Sequence, residues 1–288
     1  MTLFILLMLS GTFVLGYNDI LRKKYLVAGV HEQALVIAPF LLSGAMLLTI
    51  CALTGLPHLY APFWPVFSAT VALNIVSQYL FIHAFKASDA STIAPLRLII
   101  PPLVIVTGFI FLNEKPDAQG VLGILTTVIG LWILLFADKQ KSFKHVLKDR
   151  GILMGLAGSV LFAISFPLDK QAVLLSSGLF FAGAISFAVG LCTLLLIQIR
   201  ERGFAGHMLT ELKQRPAAFA LLSVTWGIGA FLTNEALNYS LAAYAASFKR
   251  LQALWTVVLS GHFLGEKGLT RKLFATVIML AGIAITVM

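Results

Sequence analysis

Charged residues are scarce in this chain of 288 residues. Only 11% of them are Asp, Glu, Lys or Arg, whereas 59% are hydrophobic and the mean hydropathy is +0.94. Soluble globular proteins carry about 25% charged residues. So few charges cannot cover a water-facing surface of this size, which excludes an ordinary soluble enzyme and a disordered chain. The composition predicts an all-α polytopic membrane protein.

Cysteine and catalytic motifs are also scarce. Cys51 and Cys192 lie in separate apolar runs without metal-ligand spacing, which predicts no disulfide, metal site or redox pair. The sequence has no G-x-S-x-G elbow, no H-E-x-x-H motif and no Gly-rich phosphate loop. We therefore expect no catalytic residues, no cofactor and no ATP-driven pump. An intramembrane hydrolase or lipid-modifying enzyme is the competing class.

Long apolar runs fill most of the chain. A membrane-spanning helix needs about 20 mainly apolar residues. Ten segments meet this requirement, at about 2–21, 34–54, 63–85, 92–112, 119–137, 151–174, 178–199, 216–238, 244–264 and 270–288. The sequence thus predicts ten transmembrane helices with short connections and no room for a soluble domain.

Membrane topology explains the net charge of +9, because most of the basic residues lie in alternate loops. Sixteen of the 21 Lys and Arg residues fall in alternate loops, beginning with Arg22, Lys23 and Lys24. By the positive-inside rule these loops are cytoplasmic and both ends of the chain lie outside. Topology is a better explanation than nucleic-acid binding, so we expect a multi-pass protein of a bacterial inner membrane.

The two halves of the sequence resemble each other. FLNEK at 111–115 and FLGEK at 263–267 are 152 positions apart, and an offset of 147 matches the first span to the sixth. We expect five-helix repeats at 1–138 and 151–288, joined by a basic linker at 139–150. Because five is odd, the second repeat must cross the membrane in the inverted orientation, as in many secondary transporters.

Two segments carry a family resemblance. LNEKPDAQGVLGILTTVIGLWIL and LGEKGLTRKLFATVIMLAGIAI, together with the repeat, resemble the EamA-type branch of the drug/metabolite transporter superfamily. This resemblance covers essentially the whole chain and implies a transporter without specifying its substrate. AASFKRLQALW also resembles the ninth helix of the sugar-phosphate/phosphate translocators, in which a Lys-Arg pair contacts the substrate phosphate. That pair is Lys249 and Arg250 here, and it favours an anionic substrate.

Cationic residues occur inside the fourth and ninth spans, where each costs about 2.5–3.5 kcal/mol at bilayer depth. Arg97 precedes Pro101 and Pro102, which should break the fourth helix. It either clamps substrate or extends to the lipid headgroups. Its repeat equivalent is Lys249, which we expect in a central cavity, with Arg250 beside it or reaching outward.

Rows of polar side chains, here called polar stripes, occur on the third, eighth and ninth predicted spans. They predict substrate contacts from Asn74 and Gln78 on the third span, Trp226, Asn234 and Asn238 on the eighth, and Gln252 on the ninth. Such stripes either join helices by hydrogen bonds or line a cavity. Their equivalent places in both repeats favour a shared cavity.

Glu235 is the carboxylate that the pattern places well inside a span. It is either a proton-coupling group or the partner of Lys249 or Arg250. Asp19 and Asp169 lie near predicted span ends, beside Arg22 and Lys170. We interpret these two acids as members of ion pairs at the membrane interface.

Together these features predict a secondary transporter that moves a small polar metabolite, anionic or zwitterionic, by alternating access. The alternatives are a broad-specificity amino-acid or drug exporter of the same fold and a flippase for a lipid-linked sugar. The expected partners are a small-molecule substrate, membrane lipid and, as an open alternative, protons. The expected state is a monomer or homodimer.

Overall fold

The computed structural model describes residues 1–87, 93–135 and 149–264, with positions 278, 281, 282 and 285. Every regular element within this part of the chain is helical. The α-helices are α1 (Thr2–Val27), α2 (Ala34–Thr54), α3 (Phe63–Ala87), α4 (Ile100–Leu112), α5 (Ala118–Leu135), α6 (Arg150–Leu174), α7 (Gly178–Arg200), α8 (Phe204–Gln214), α9 (Pro216–Glu235), α10 (Ala242–Phe248) and α11 (Leu251–Leu264).

The apolar runs form helices where the sequence predicts them. Six of the described helices are long and apolar enough to cross a membrane, and α4 and α5 are shorter apolar helices. The chain is thus an all-helical membrane protein. The tenth predicted span, 270–288, lies outside the described residues except for its helical positions 278, 281, 282 and 285.

The fourth and ninth spans are divided. A 3-10 helix at Ala94–Ile99 precedes α4, and Pro101 and Pro102 lie in the first turn of α4. Proline suits the first turn of a helix because the backbone N–H groups there lack partners anyway. The ninth span was predicted as one helix, but it ends as α10 at Phe248 and begins again as α11 at Leu251.

The connection between α7 and α9 contains an amphipathic helix that the sequence analysis treated as a loop. In this helix, α8, Phe204 is buried, whereas most of the polar residues remain exposed. The carboxylate of Glu211 accepts a hydrogen bond from the backbone N–H of His31 at 3.0 Å. This contact holds α8 against the connection between α1 and α2, on the side of the molecule predicted to be cytoplasmic.

Helices of one repeat pack against helices of the other. The first span contacts the eighth and the ninth, whereas the third and fourth spans contact the sixth. Exchange of the two repeats converts the first pair of contacts into the second, as an inverted repeat requires. The crossings are close: a Cβ on Gly16 would lie 2.7 Å from Cβ of Trp255, and one on Gly158 3.0 Å from the Phe81 ring.

Candidate functional site

The breaks in the fourth and ninth spans occur at equivalent positions of the two repeats. The offset of 152 relates Ile99, the last residue of the 3-10 helix, to Leu251, the first of α11. At the second break, the N–H of Arg250 donates to Ser247 O at 3.0 Å, which is a spacing of three residues. Each break places cationic side chains, Arg97 in one repeat and Lys249 with Arg250 in the other, at the centre of the polar contacts described below.

Lys249 lies opposite Asp169 of α6. The two charges interact electrostatically, and the Lys249 ammonium also lies 5.4 Å from the centroid of the Phe166 ring. Asp169 accepts a hydrogen bond from the Thr70 hydroxyl of α3. Asn74, a predicted site residue, donates to Thr70 O at 2.9 Å. The structure therefore joins the polar stripe of the third span to the break in the ninth.

Asp19 of α1 forms a second polar centre. Its Oδ2 accepts hydrogen bonds from Gln252 at 2.8 Å and from Thr256 at 3.1 Å. Asp19 also interacts electrostatically with Arg22 and Arg97. Of these residues, Gln252 and Arg97 were predicted to belong to the site, and their common contact is this carboxylate.

Arg97 and Arg250 belong to the same cluster of charges. The guanidinium carbon of Arg97 lies 4.1 Å from the centroid of the Phe81 ring, and Arg97 is exposed. Arg250 is half-buried and interacts electrostatically with Arg97. Because like charges repel, this arrangement favours binding of an anion near the two guanidinium groups.

Arg22 is a member of this cluster that the sequence analysis missed, because a basic residue at a span end is explained by topology. Its guanidinium carbon lies 4.9 Å from the centroid of the Trp226 ring. The Phe40 ring stacks on Trp226 at 4.4 Å, and the indole N–H donates to Ser186 Oγ at 3.4 Å. The predicted site residue Trp226 is thus held on two sides and contacts Arg22.

The structure places the two acids assigned to interfacial ion pairs differently. Asp19 interacts electrostatically with Arg22, as expected, and is also hydrogen-bonded to Gln252 of α11. Asp169 contacts Thr70 and Lys249 instead of its neighbour Lys170, so that part of the interpretation was wrong, because adjacent residues on a helix point in directions about 100° apart. Lys170 instead pairs with Glu114 and donates to Ser240 O at 2.6 Å.

The Lys170–Glu114 pair lies at the end of the bundle predicted to face outward. Both side chains are 10% exposed. Glu114 also accepts a hydrogen bond at 2.7 Å from the backbone N–H of Ala242, the first residue of α10. The pair thereby connects the end of the fourth span, the sixth span and the beginning of the ninth.

Most of the remaining predicted residues make local hydrogen bonds within their own segment of the chain. Gln78 is half-buried one turn after Asn74, and Asn234 donates to Ala230 O of its own helix at 2.8 Å. Glu235 is the last residue of α9 and accepts hydrogen bonds from Asn238 and Tyr239 at 3.2 and 3.3 Å. Lys249 therefore faces Asp169 rather than Glu235.

No group of three His, Cys, Asp or Glu residues within the described ranges has the geometry of a metal site.

Comparisons with known proteins agree with this architecture. A crystal structure titled "Crystal structure of protein" superposes on the chain with a TM-score of 0.77 at 14% sequence identity, covering 98% of this chain and 96% of the other. At that identity the likeness shows the fold alone. No curated protein matches the sequence. The model of the EamA-like transporter family matches residues 2–136 and again 149–288. This multi-pass membrane protein therefore belongs to the EamA-like transporter family, whose two repeats it contains.

Proposed function

We propose that this transporter is a secondary active permease for a small anionic or zwitterionic organic metabolite in a bacterial inner membrane. The observation that carries the proposal is the charge cluster of Arg22, Arg97, Arg250 and Asp19. When all four side chains are ionised, the cluster has an excess of two positive charges. Uncompensated charge in an apolar bundle is costly, and an anionic solute would compensate it.

The equivalent breaks support alternating access as the mechanism. Discontinuous helices at a repeat interface are a recurrent feature of substrate sites near the bilayer midplane. Here the breaks lie at Ile99 and at Lys249–Arg250, and side chains at or beside them contact α1, α3 and α6. In alternating access, the two inverted repeats exchange conformations, so each break would contribute its cations to the substrate from a different side.

Two sets of charges lie towards opposite predicted sides of the membrane. The Lys170–Glu114 contact lies at the end predicted to be outside, whereas Arg22 lies near the end of α1 that is predicted to be cytoplasmic. The Lys170–Glu114 contact joins the fourth, sixth and ninth spans at that end, which supports a closed outer side. The exposed Arg97 then lies towards the cytoplasmic side. We assign this conformation to the inward-facing half of the cycle.

Counterflow in proteoliposomes tests the proposal. Vesicles containing the purified protein would be preloaded with single solutes from four groups: dicarboxylates, sugar phosphates, amino acids and uncharged sugars or amines. We expect exchange of an anionic or zwitterionic solute, and strong loss of this exchange in Arg97→Gln and Arg250→Gln. Arg202→Gln is the matched control, because Arg202 lies exposed in the connection after α7.

Other outcomes would identify the alternatives. Exchange of uncharged or cationic solutes alone would contradict the proposal and favour a broad-specificity exporter. Protection of the protein by a polyprenyl-phosphate sugar, without exchange of any soluble solute, would favour a flippase. Wild-type exchange in both arginine variants would mean that these cations serve topology alone.

A further inference from the structure

Among the described residues, two hydrogen-bond donors of the Arg22 side chain have no acceptor. Its Nε and Nη2 atoms are both buried, and neither has a hydrogen-bond partner in the part of the chain that the structure describes. Buried donors are nearly always paired, and an unpaired charged donor is particularly unfavourable. Two of them on one side chain indicate a group that is completed by a ligand.

The two atoms lie on the same edge of the guanidinium. Nε–H and Nη2–H point in parallel, and this edge binds two oxygens of one carboxylate or phosphate at the same time. Asp19 does not occupy the edge, because neither donor has a partner among the described residues, and its Oδ2 accepts from Gln252 and Thr256. Asp19 supplies a nearby negative charge without satisfying these two donors of Arg22.

Trp226 positions the guanidinium. The indole is stacked on Phe40 and hydrogen-bonded to Ser186, and Arg22 lies against it at 4.9 Å. An arginine that rests on an aromatic face is restricted in its motion, so its donor edge has a defined direction before a ligand arrives. A residue that only marks the cytoplasmic end of a helix needs no such support.

We propose that the Nε/Nη2 edge of Arg22, supported by Trp226, is the oxyanion subsite of this transporter and binds the carboxylate or phosphate group of its metabolite. The inference rests on the proposed function and names the group that recognises the anionic part of the substrate. The same chemistry could hold the phosphate of a lipid headgroup, and the experiment below separates these two sources.

The test compares Arg22→Lys with the wild type and with Arg202→Lys, a change of the same kind at an exposed site. Lysine keeps the positive charge and the topology but lacks the planar pair of donors. The probes for calorimetry on the purified, full-length protein are inorganic phosphate, succinate, glutamate and vesicles containing phosphatidic acid, with succinamide as the uncharged control. We expect one of the soluble oxyanions to bind, with a Kd at least about tenfold higher in Arg22→Lys and unchanged in Arg202→Lys.

Trp226→Ala is a second variant in case Arg22→Lys does not fold. It leaves the arginine in place but removes its support, so binding of the same oxyanion should weaken. Wild-type affinity in Arg22→Lys, or in Trp226→Ala if only that variant folds, would overturn the subsite while the proposed function stands. Binding of phosphatidic acid alone would overturn it as a substrate site and assign it to lipid. Absence of binding by all probes to the wild-type protein would overturn the subsite and the anionic function together.

Discussion

Asp19 in the first span accepts a hydrogen bond from Gln252 in the ninth, with an Nε2–Oδ2 distance of 2.8 Å. Gln252 is the second residue after the break in the ninth span, so the contact holds the beginning of α11 against α1. Close packing of Gly16 against Trp255 reinforces the same crossing. The break, the acid and the nearby arginines are therefore parts of one structural arrangement.

Lys249→Gln should weaken binding of an anionic substrate by about ten- to a hundredfold, because a charge-assisted contact contributes about 1.5–3 kcal/mol. The single variant should also unfold more easily, since Asp169 loses the half-buried cation opposite it. Asp169→Asn/Lys249→Gln removes both charges and should regain much of the lost stability but not the affinity. Calorimetry and thermal unfolding of the three proteins measure the two effects. Recovery of affinity in the double variant would make Lys249 a structural partner only.

Glu235→Gln should abolish uphill transport driven by a pH gradient and leave substrate exchange largely intact, if Glu235 takes up the coupling proton. Exchange involves no net proton movement, so it does not need this carboxylate. Glu201→Gln, at an exposed site after α7, is the control. Parallel uptake and counterflow measurements distinguish the two activities. Unchanged uphill transport would leave Glu235 as a hydrogen-bond acceptor for Asn238 and Tyr239.

Glu114→Gln should open the outer side of the bundle more often. It removes one partner of the buried Lys170–Glu114 pair, a change that typically costs about 3–5 kcal/mol. Ser165 is buried in α6, where its Oγ lies 3.4 Å from Nδ2 of Asn74. The readout is the rate at which an impermeant thiol reagent labels a cysteine in place of Ser165, in a protein without Cys51 and Cys192. We expect faster labelling from outside than with Glu201→Gln. Equal rates would show that this pair does not restrict access.

Labelling also tests the topology. Ala61 and Thr210 are exposed, in the connection before α3 and in α8 respectively. The charge distribution predicts that they lie on opposite sides of the membrane. A cysteine at position 61 should react with an impermeant reagent in intact cells, whereas one at position 210 should react only after permeabilisation. The same behaviour at both positions would refute the predicted orientation.

Gly16→Ala should destabilise the protein by about 1–3 kcal/mol, the usual cost of overpacking. The added Cβ would lie 2.7 Å from Cβ of Trp255 and 3.1 Å from the backbone O of Gln252. Gly206→Ala in α8 is the matched control, because its Cβ would meet nothing within 4 Å. Thermal unfolding in detergent should show a lower Tm for the first variant only. An unchanged Tm would mean that the α1–α11 crossing adjusts easily.

The sequence by itself determined the class, the spans and the repeat. Apolar runs of about 20 residues, the basic loops and the matching FLNEK and FLGEK segments are local or strictly periodic signals. They reflect how one segment interacts with lipid and water, so they do not depend on which helices become neighbours. The prolines before α4 belong to the same category, since they restrict the backbone wherever they occur.

The tertiary structure determined which residues the charged side chains contact. The second break, at Lys249–Arg250, contains neither proline nor glycine, and it is accompanied by contacts with the first and sixth spans. The sequence gives Asp169 and Arg22 local roles at helix ends, but tertiary packing brings Asp169 to Lys249 within the second repeat and Arg22 to Trp226 across the two repeats. The partner of a buried charge depends on the neighbouring helices, and a single span does not encode them.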